Sequence, residues 1–240
     1  MLKEEFAKKI QELSNEIGIL LNEKQIEQFY AYMELLLEWN QKINLTAITE
    51  PEEIILKHFI DSMTIAKHIK ENAKVIDVGT GAGFPGIPLK IIREDIEVTL
   101  LDSLNKRINF LNEVINQLKL EKIQAIHSRV EEFGQNKKYR ETFDYATSRA
   151  VANLSTLAEY LVPLVKTKGM CISMKGADVK EEIQQSEKAI SILGGKIESI
   201  EKFQLPRSDM DRNIILIRKA KSTQPKYPRR PGFPAKEPLK

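Results

Sequence analysis

The residues best suited to chemistry sit in one stretch, VIDVGTGAGFPGIPL at 75–89. A buried strand runs there into Gly79, Gly81 and Gly83, and a helix follows. Alternating glycines allow a tight turn and let a ligand come close to the backbone. In an open parallel sheet such a loop lies at the carboxyl edge of the first strand, where ligands bind. A turn built only for folding leaves the alternation of glycines unexplained.

Two classes of ligand compete for this loop. Gly81-Ala82-Gly83-Phe84-Pro85-Gly86 matches the dinucleotide fingerprint G-x-G-x-x-G. Three features argue against that register. Gly79 and Thr80 intervene before Gly81, whereas the first glycine of a dinucleotide site follows the strand directly. Counted from Gly79, the third glycine position falls on Phe84, a bulky ring where helix and strand must pack closely. Asp77, inside the strand end, would repel a pyrophosphate. An acid there suits a ligand with a cationic end, such as the amino group of S-adenosylmethionine, which is the expected cofactor.

Further candidates close the following strands. Asp102, in LLDS with Ser103 beside it, can accept both ribose hydroxyls of an adenosine. The same carboxylate can cap the helix that begins near Ser103 or Leu104, and the two roles are compatible. His127-Ser128-Arg129-Val130-Glu131 follows the third strand and would lie beside the adenine, although Glu131 reads equally as an exposed acid at a helix start. Arg149 and Lys175 end strands four and five and should point toward the crevice. Arg149 suits a cofactor carboxylate or a substrate phosphate, and Lys175 a phosphate. Both are carried as catalytic candidates, through positioning or charge stabilisation, against the plainer role of a strand-end cation reaching water. His58 and Asp61 share a helix face, and the plain reading is a local surface pair. Trp39 reads as core at a helix end, and Cys171, mid-strand in GMCISMK, as core.

The elements that must position these groups follow from periodicity. Phe6, Ile10, Leu13 and Ile17 share a helix face that ends at Gly18, and Ile26, Phe29, Tyr30, Met33, Leu36 and Leu37 form a second stripe with Asn22 as its cap. WNQKINLTAIT (39–49) reads as loop, and Pro51 opens a helix through residue 70 with a break near Phe59. From residue 74 the pattern changes to strands at 74–78, 98–101, 123–126, 143–147 and 169–174, alternating with helices at 85–92, 104–118, 153–166 and 178–192. Such alternation implies an α/β, doubly wound, Rossmann-like sheet with helices on both faces. Strands at 196–204 and 212–219 form a hairpin that adds an antiparallel strand at the edge, making seven in all. The division expected is a helical cap (1–70), a sheet domain (71–220) and a terminal arm (221–240).

Composition narrows the class. The 240 residues are 42% hydrophobic and 30% charged, which excludes a wholly disordered chain. No apolar run is long enough for a membrane span, the N-terminus lacks the apolar core of a signal peptide, and one cysteine makes neither a disulfide nor a zinc cluster. A cytoplasmic monomer is expected. The net charge of +3 is unevenly spread: Arg218–Lys240 holds eight Lys/Arg against one acid, or +7, which leaves −4 for residues 1–217. That stretch also holds five of the ten prolines. It reads as an extended basic arm without a packed core, remote from the glycine crevice, either attracting a polyanion or serving as a solubilising tail.

WNQKINLT (39–46), HFIDS (58–62), DVGTGAGFPGIPL, LLDS, TSRAVA (147–152) and DRNIILIRK (211–219) together resemble the glucose-inhibited division protein B family, the bacterial small-subunit ribosomal RNA methyltransferases G. The resemblance covers nearly the whole chain. It implies a methyltransferase fold and methylation of guanine N7 in 16S ribosomal RNA from S-adenosylmethionine, with the RNA or the small ribosomal subunit as partner. It implies cofactor contacts at Gly79, Phe84, Val130, Glu131 and Arg149, and brings HFIDS toward the substrate mouth. The residues are compatible with that chemistry. Guanine N7 carries an in-plane lone pair and no proton, so no general base is needed. Cys171 is not placed as the nucleophile of carbon methylation, and Ser148-Arg149-Ala150 is not the Asn/Asp-Pro-Pro-aromatic turn of amino methylation. Methylation of another RNA or of a small molecule is the alternative.

Overall fold

The computed structural model describes residues 1–149 and 152–240; Ala150 and Val151, in the middle of TSRAVA, lie outside the described residues. Seven strands form one sheet in the order β3-β2-β1-β4-β5-β7-β6. They are β1 (Lys74–Val78), β2 (Glu97–Asp102), β3 (Ile123–His127), β4 (Phe143–Arg149), β5 (Val165–Lys175), β6 (Gly195–Gln204) and β7 (Asp211–Lys219). The pairs from β3 through β5 are parallel. The chain moves outward from β1 to β3, then restarts at β4 on the other side of β1. That reversal leaves room at the carboxyl edge of the sheet, where a crevice is lined by the ends of β1 and β2 and the segment after β3.

The hairpin is present, but its antiparallel member is not the edge strand. β7 inserts between β5 and β6 and runs antiparallel to both. Burial explains the order: Asn213–Ile217 is continuously buried, as a strand covered on both faces must be, whereas β6 alternates as one does at an edge.

Side chains alternate between two apolar layers. Val75, Leu100, Ile172 and Leu216 face one layer, and Ile76, Leu101, Cys171 and Ile217 face the other. The first layer is completed by α1 (Lys3–Glu16), α2 (Glu23–Ile43), α5 (Gly86–Ile92) and α6 (Asn105–Gln117). Phe59 lies 5.0 Å from Phe29 and 5.3 Å from Tyr32, and Tyr32 lies 5.5 Å from Phe84 of the glycine loop. Residues 1–70 therefore share a continuous core with the sheet, where each fully buried aromatic is worth about 1.5–3 kcal/mol. The second layer holds α7 (Val130–Gln135), α8 (Leu154–Leu161) and α9 (Lys180–Leu193).

Several local expectations are corrected. Asn22 caps α2 through Gln25 N as expected, but the helix continues through Trp39 to Ile43. The stripe Leu36, Trp39, Ile43 keeps helical spacing, and Trp39 packs 5.7 Å from Phe110. The segment after Pro51 is not one α-helix. α3 (Pro51–Ile54) passes into a π-helical turn (Ile55–Ile60), α4 (Asp61–Met63) and a short 3₁₀ turn. α8 ends at Leu161, before Pro163, and Val165 already belongs to β5.

Residues 221–240 are not a free extended arm: they are docked on the body of the protein. Arg140 donates to the carbonyls of Thr223 (2.8 Å), Gln224 (3.1 Å) and Tyr227 (2.5 Å), and Gln135 Nε2 to those of Pro225 (3.1 Å) and Pro228 (2.7 Å). Tyr227 is buried in the second layer, and a short helix, α10 (Phe233–Lys236), follows. Proline removes donors but keeps carbonyls, so a proline-rich chain packs well where side-chain donors await it.

Candidate active site

The glycine loop is held from below. Asp77, fully buried, accepts from Thr80 Oγ1 (2.6 Å) and from Gly86 N (2.8 Å), both through Oδ2. Burial pushes its carboxyl up to about 6. Its other oxygen, Oδ1, is buried and has no partner among the described residues. An orphaned carboxylate oxygen beneath a ligand loop fits a cationic group on the ligand. Gly81 (φ +62°) and Gly83 (φ +101°) both need the left-handed region. A side chain at Gly83 would meet Ile87 and the Tyr32 hydroxyl, whereas one at Gly81 would project into open space. Tyr32 donates its hydroxyl proton to Ala82 O, tying the loop to α2.

A crevice of about 210 Å³ opens beside the loop, lined by Gly79, Asp102, Ser103, Val130 and Glu131 among others. Five of the residues expected to hold a cofactor thus converge on one surface. Asp102 does not cap α6, whose N-cap residue is Leu104 and which has no side-chain cap: its Oδ1 accepts from Leu104 N (2.9 Å) in the turn before the helix, and Oδ2 from Gly81 N (3.0 Å) and Arg107 Nη1 (3.2 Å). A carboxylate offers about four acceptor sites, so one remains for a ribose hydroxyl, and a second opens if Arg107 swings away. Glu131 is not an exposed helix-start acid: it is 4% exposed and accepts from Gly232 N at 2.8 Å. Gly232 and Ala235 also line the crevice, with Tyr160 of α8. The terminal segment is therefore part of this site rather than remote from it. No local signal marked these three residues, because they reach it from other elements.

Phe84 and Arg149 stand apart from that surface. The Phe84 ring is stacked on His58, 4.4 Å between centroids, with the Arg149 guanidinium 4.9 Å away over its face. Arg149 donates to Lys57 O (2.9 Å) and Asp61 Oδ2 (3.2 Å), and lies 3.0 Å from His58 Nδ1. Arg212 reaches Asp61 Oδ1 at 3.2 Å. His58 and Asp61 are thus not a surface pair: they are buried, and β4 and β7 each send an arginine to them. Burial, then the Arg149 charge, pushes the His58 imidazole down to about 3. Burial pushes the Asp61 carboxyl up against the pull of both arginines. Lys175 donates to Ala152 O (2.5 Å) and Glu182 Oε1 (2.7 Å) and does not line the crevice. Glu182 Oε1 also accepts from Leu154 N, so Lys175 ties β5 to the start of α8.

The sequence model of the GidB family, rRNA small subunit methyltransferase G, matches residues 25–215. The "Ribosomal RNA small subunit methyltransferase G" of Clostridium botulinum (strain Loch Maree / Type A3) is 52% identical over 238 residues, covering 98% of this chain and all of the relative. That of Acetivibrio thermocellus is 55% identical over 223 residues, 92% of each chain. Among solved structures, a SAM dependent methyltransferase from Aquifex aeolicus matches 70% of this chain and 93% of its own with a TM-score of 0.51 at 18% identity. The [4+2]-cyclase SpnF matches 84% and 97% with a TM-score of 0.55 at 12% identity, a likeness of fold alone. The sheet order, the glycine loop over Asp77 and the full-length relatives agree: this chain belongs to the GidB family, the small-subunit ribosomal RNA methyltransferases G.

Proposed function

We propose that this protein transfers a methyl group from S-adenosylmethionine to N7 of a guanine in 16S ribosomal RNA. The observation that carries the reading is the glycine loop, with the unpartnered Asp77 oxygen beneath it and Asp102 beside it, in a chain of this family. S-adenosylmethionine, when bound, supplies an electrophilic methyl group on a sulfonium. Asp77 would answer the cationic amino end, and Asp102 with Ser103 the ribose. Gly79, Gly81 and Gly83 would leave room for the ligand against the backbone, with Val130 and Glu131 beside the adenine. Phe84 and Arg149 would act from the wall behind the loop, Arg149 by holding the 57–61 segment against it. Lys175 would act only by positioning, since its charge is matched by Glu182.

The acceptor reading has support from chemistry. A ring-nitrogen lone pair needs alignment and exclusion of water but no base. Cys171 is unsuited to nucleophilic methylation of carbon: it is fully buried and burial pushes its thiol up to about 12. The RNA partner, whether free or in the small subunit, would meet the exposed cations of the docked terminal segment, among them Lys226, Arg230 and Lys236. Among the described residues no helix is long and apolar enough to cross a membrane. We take the working unit as a cytoplasmic monomer built of a helical part (1–70), a methyltransferase part (71–220) and the terminal segment (221–240). Calorimetry with S-adenosylhomocysteine and NAD side by side tests the cofactor. Binding of the first and not the second is expected, and the reverse would overturn the assignment.

A further inference from the structure

Residues 221–240 add no strand to the sheet, yet their tethers lead to the crevice. Arg229 clasps Glu159, a fully buried acid on α8: its backbone N and Nε reach Oε1 at 2.8 and 2.9 Å, and Nη2 reaches Oε2 at 2.7 Å. A buried carboxylate with a forked arginine partner is a strong anchor, because pulling the arginine away leaves its buried acceptor oxygens unmatched. The chain then turns at Gly232 (φ +82°), which aims its N–H at Glu131 Oε1. Thr156 Oγ1 donates to Pro234 O at 3.1 Å, and this brings Ala235 onto the crevice beside Tyr160 and Val130. The resulting wall has apolar surfaces suited to a flat purine. It also has one carboxylate oxygen, Glu131 Oε2, that no protein donor reaches among the described residues and that can accept from an amine or hydroxyl of the ligand.

We propose that residues 229–236 are a strap that completes the adenosine subsite, with Gly232 orienting Glu131 and Ala235 closing the wall. Cofactor affinity then depends on the docked strap, and by linkage a bound cofactor holds the strap down. The proposal rests on the cofactor reading above.

Two measurements on the full chain test it, with S-adenosylhomocysteine as probe. Ala235 is exposed on the strap, so Ala235→Trp puts a large ring into the crevice and leaves the anchors in place. The expected result is an unchanged melting temperature without ligand and at least a tenfold weaker Kd. In the parent, saturating S-adenosylhomocysteine should slow tryptic cleavage after Lys226 and Arg229 severalfold, with cleavage after Lys8 and Lys9 in α1 unchanged. If Ala235→Trp binds as tightly as the parent, and cleavage after Lys226 and Arg229 ignores the ligand, the strap plays no part in the site. If the parent itself does not bind S-adenosylhomocysteine, the cofactor reading falls and the strap with it.

Discussion

Arg149 Nη2 lies 3.0 Å from His58 Nδ1, and this contact sets the tautomer of the imidazole. A guanidinium only donates, so Nδ1 is the acceptor and the single ring proton sits on Nε2, which donates to Thr46 Oγ1 at 2.9 Å. The neutral ring stacks on Phe84 and so links the 55–60 turn to the glycine loop.

A pH dependence follows. The His58 imidazole is held down to about 3 in the folded chain, against an ordinary value of 6.5. Between those values the unfolded chain binds a proton that the folded one refuses, so stability falls as pH falls through that window. Relative to His58→Gln, the parent should lose up to about 1.4 kcal/mol per pH unit below 6.5. The raised Asp77 carboxyl works in the opposite direction, but it is common to both proteins and cancels in the difference. Urea unfolding of the two at pH 7, 5.5 and 4.5 checks this, and a gap independent of pH would show that His58 is not held neutral.

Arg149→Lys should destabilise the fold by about 2–4 kcal/mol although it keeps the charge. A lysine cannot span Lys57 O, Asp61 and His58 at once, and the buried Asp61 would depend on Arg212 alone. Denaturant midpoints at pH 7 measure it. A cost under about 0.5 kcal/mol, the range of an ordinary surface substitution, would mean that the fork is not a structural link.

Gly81→Val separates folding from binding. The left-handed backbone costs a valine about 1–2 kcal/mol, but its Cβ meets no protein atom within 4 Å, so the variant should fold. It should fail to bind S-adenosylmethionine, because the proposed site places the ligand in the open space beside Gly81. Titration of the folded variant decides this, and binding at parental affinity would mean that the loop is not the cofactor cradle.

Asp102→Ala should weaken cofactor binding by about 1–3 kcal/mol through lost bonds to ribose. It also frees Gly81 N and Leu104 N, so part of the loss comes from a slackened loop. A 2′,3′-dideoxy analogue of S-adenosylhomocysteine tells the two apart. The parent should discriminate against the analogue and Asp102→Ala should not, whereas an equal loss for both ligands would assign Asp102 to the loop alone.

Much of this was legible in the chain, for local reasons. KVIDV announced β1 because a central parallel strand is an apolar run, and Asn22 announced α2 because a cap needs a short acceptor just before the stripe. The contrast between NIILI and the alternating β6 held the strand order too, but its meaning emerges only once β7 is seen covered on both sides. The π-helical turn around Phe59 was not legible beyond a break, since it serves packing against Phe29 and Tyr32, residues remote in sequence. The sequence places Arg149 at its strand end but does not give its direction, which His58 and Asp61 determine from some ninety residues earlier. The terminal segment reads as a free arm for the same reason. Its prolines and charges describe a free chain, and the donors and acids that dock it, Arg140, Gln135, Glu159 and Glu131, lie far upstream.

Methyl transfer to guanine N7 is tested most directly by removing that atom. The protein, isotopically labelled S-adenosylmethionine and 16S ribosomal RNA, alone or in the small subunit, should yield labelled RNA with the label on a guanine. The same RNA transcribed with 7-deazaguanosine keeps every Watson–Crick group and lacks only the N7 acceptor. The account predicts label in the first RNA and none in the second. Equal labelling of both would place the methyl group elsewhere and contradict the proposed function.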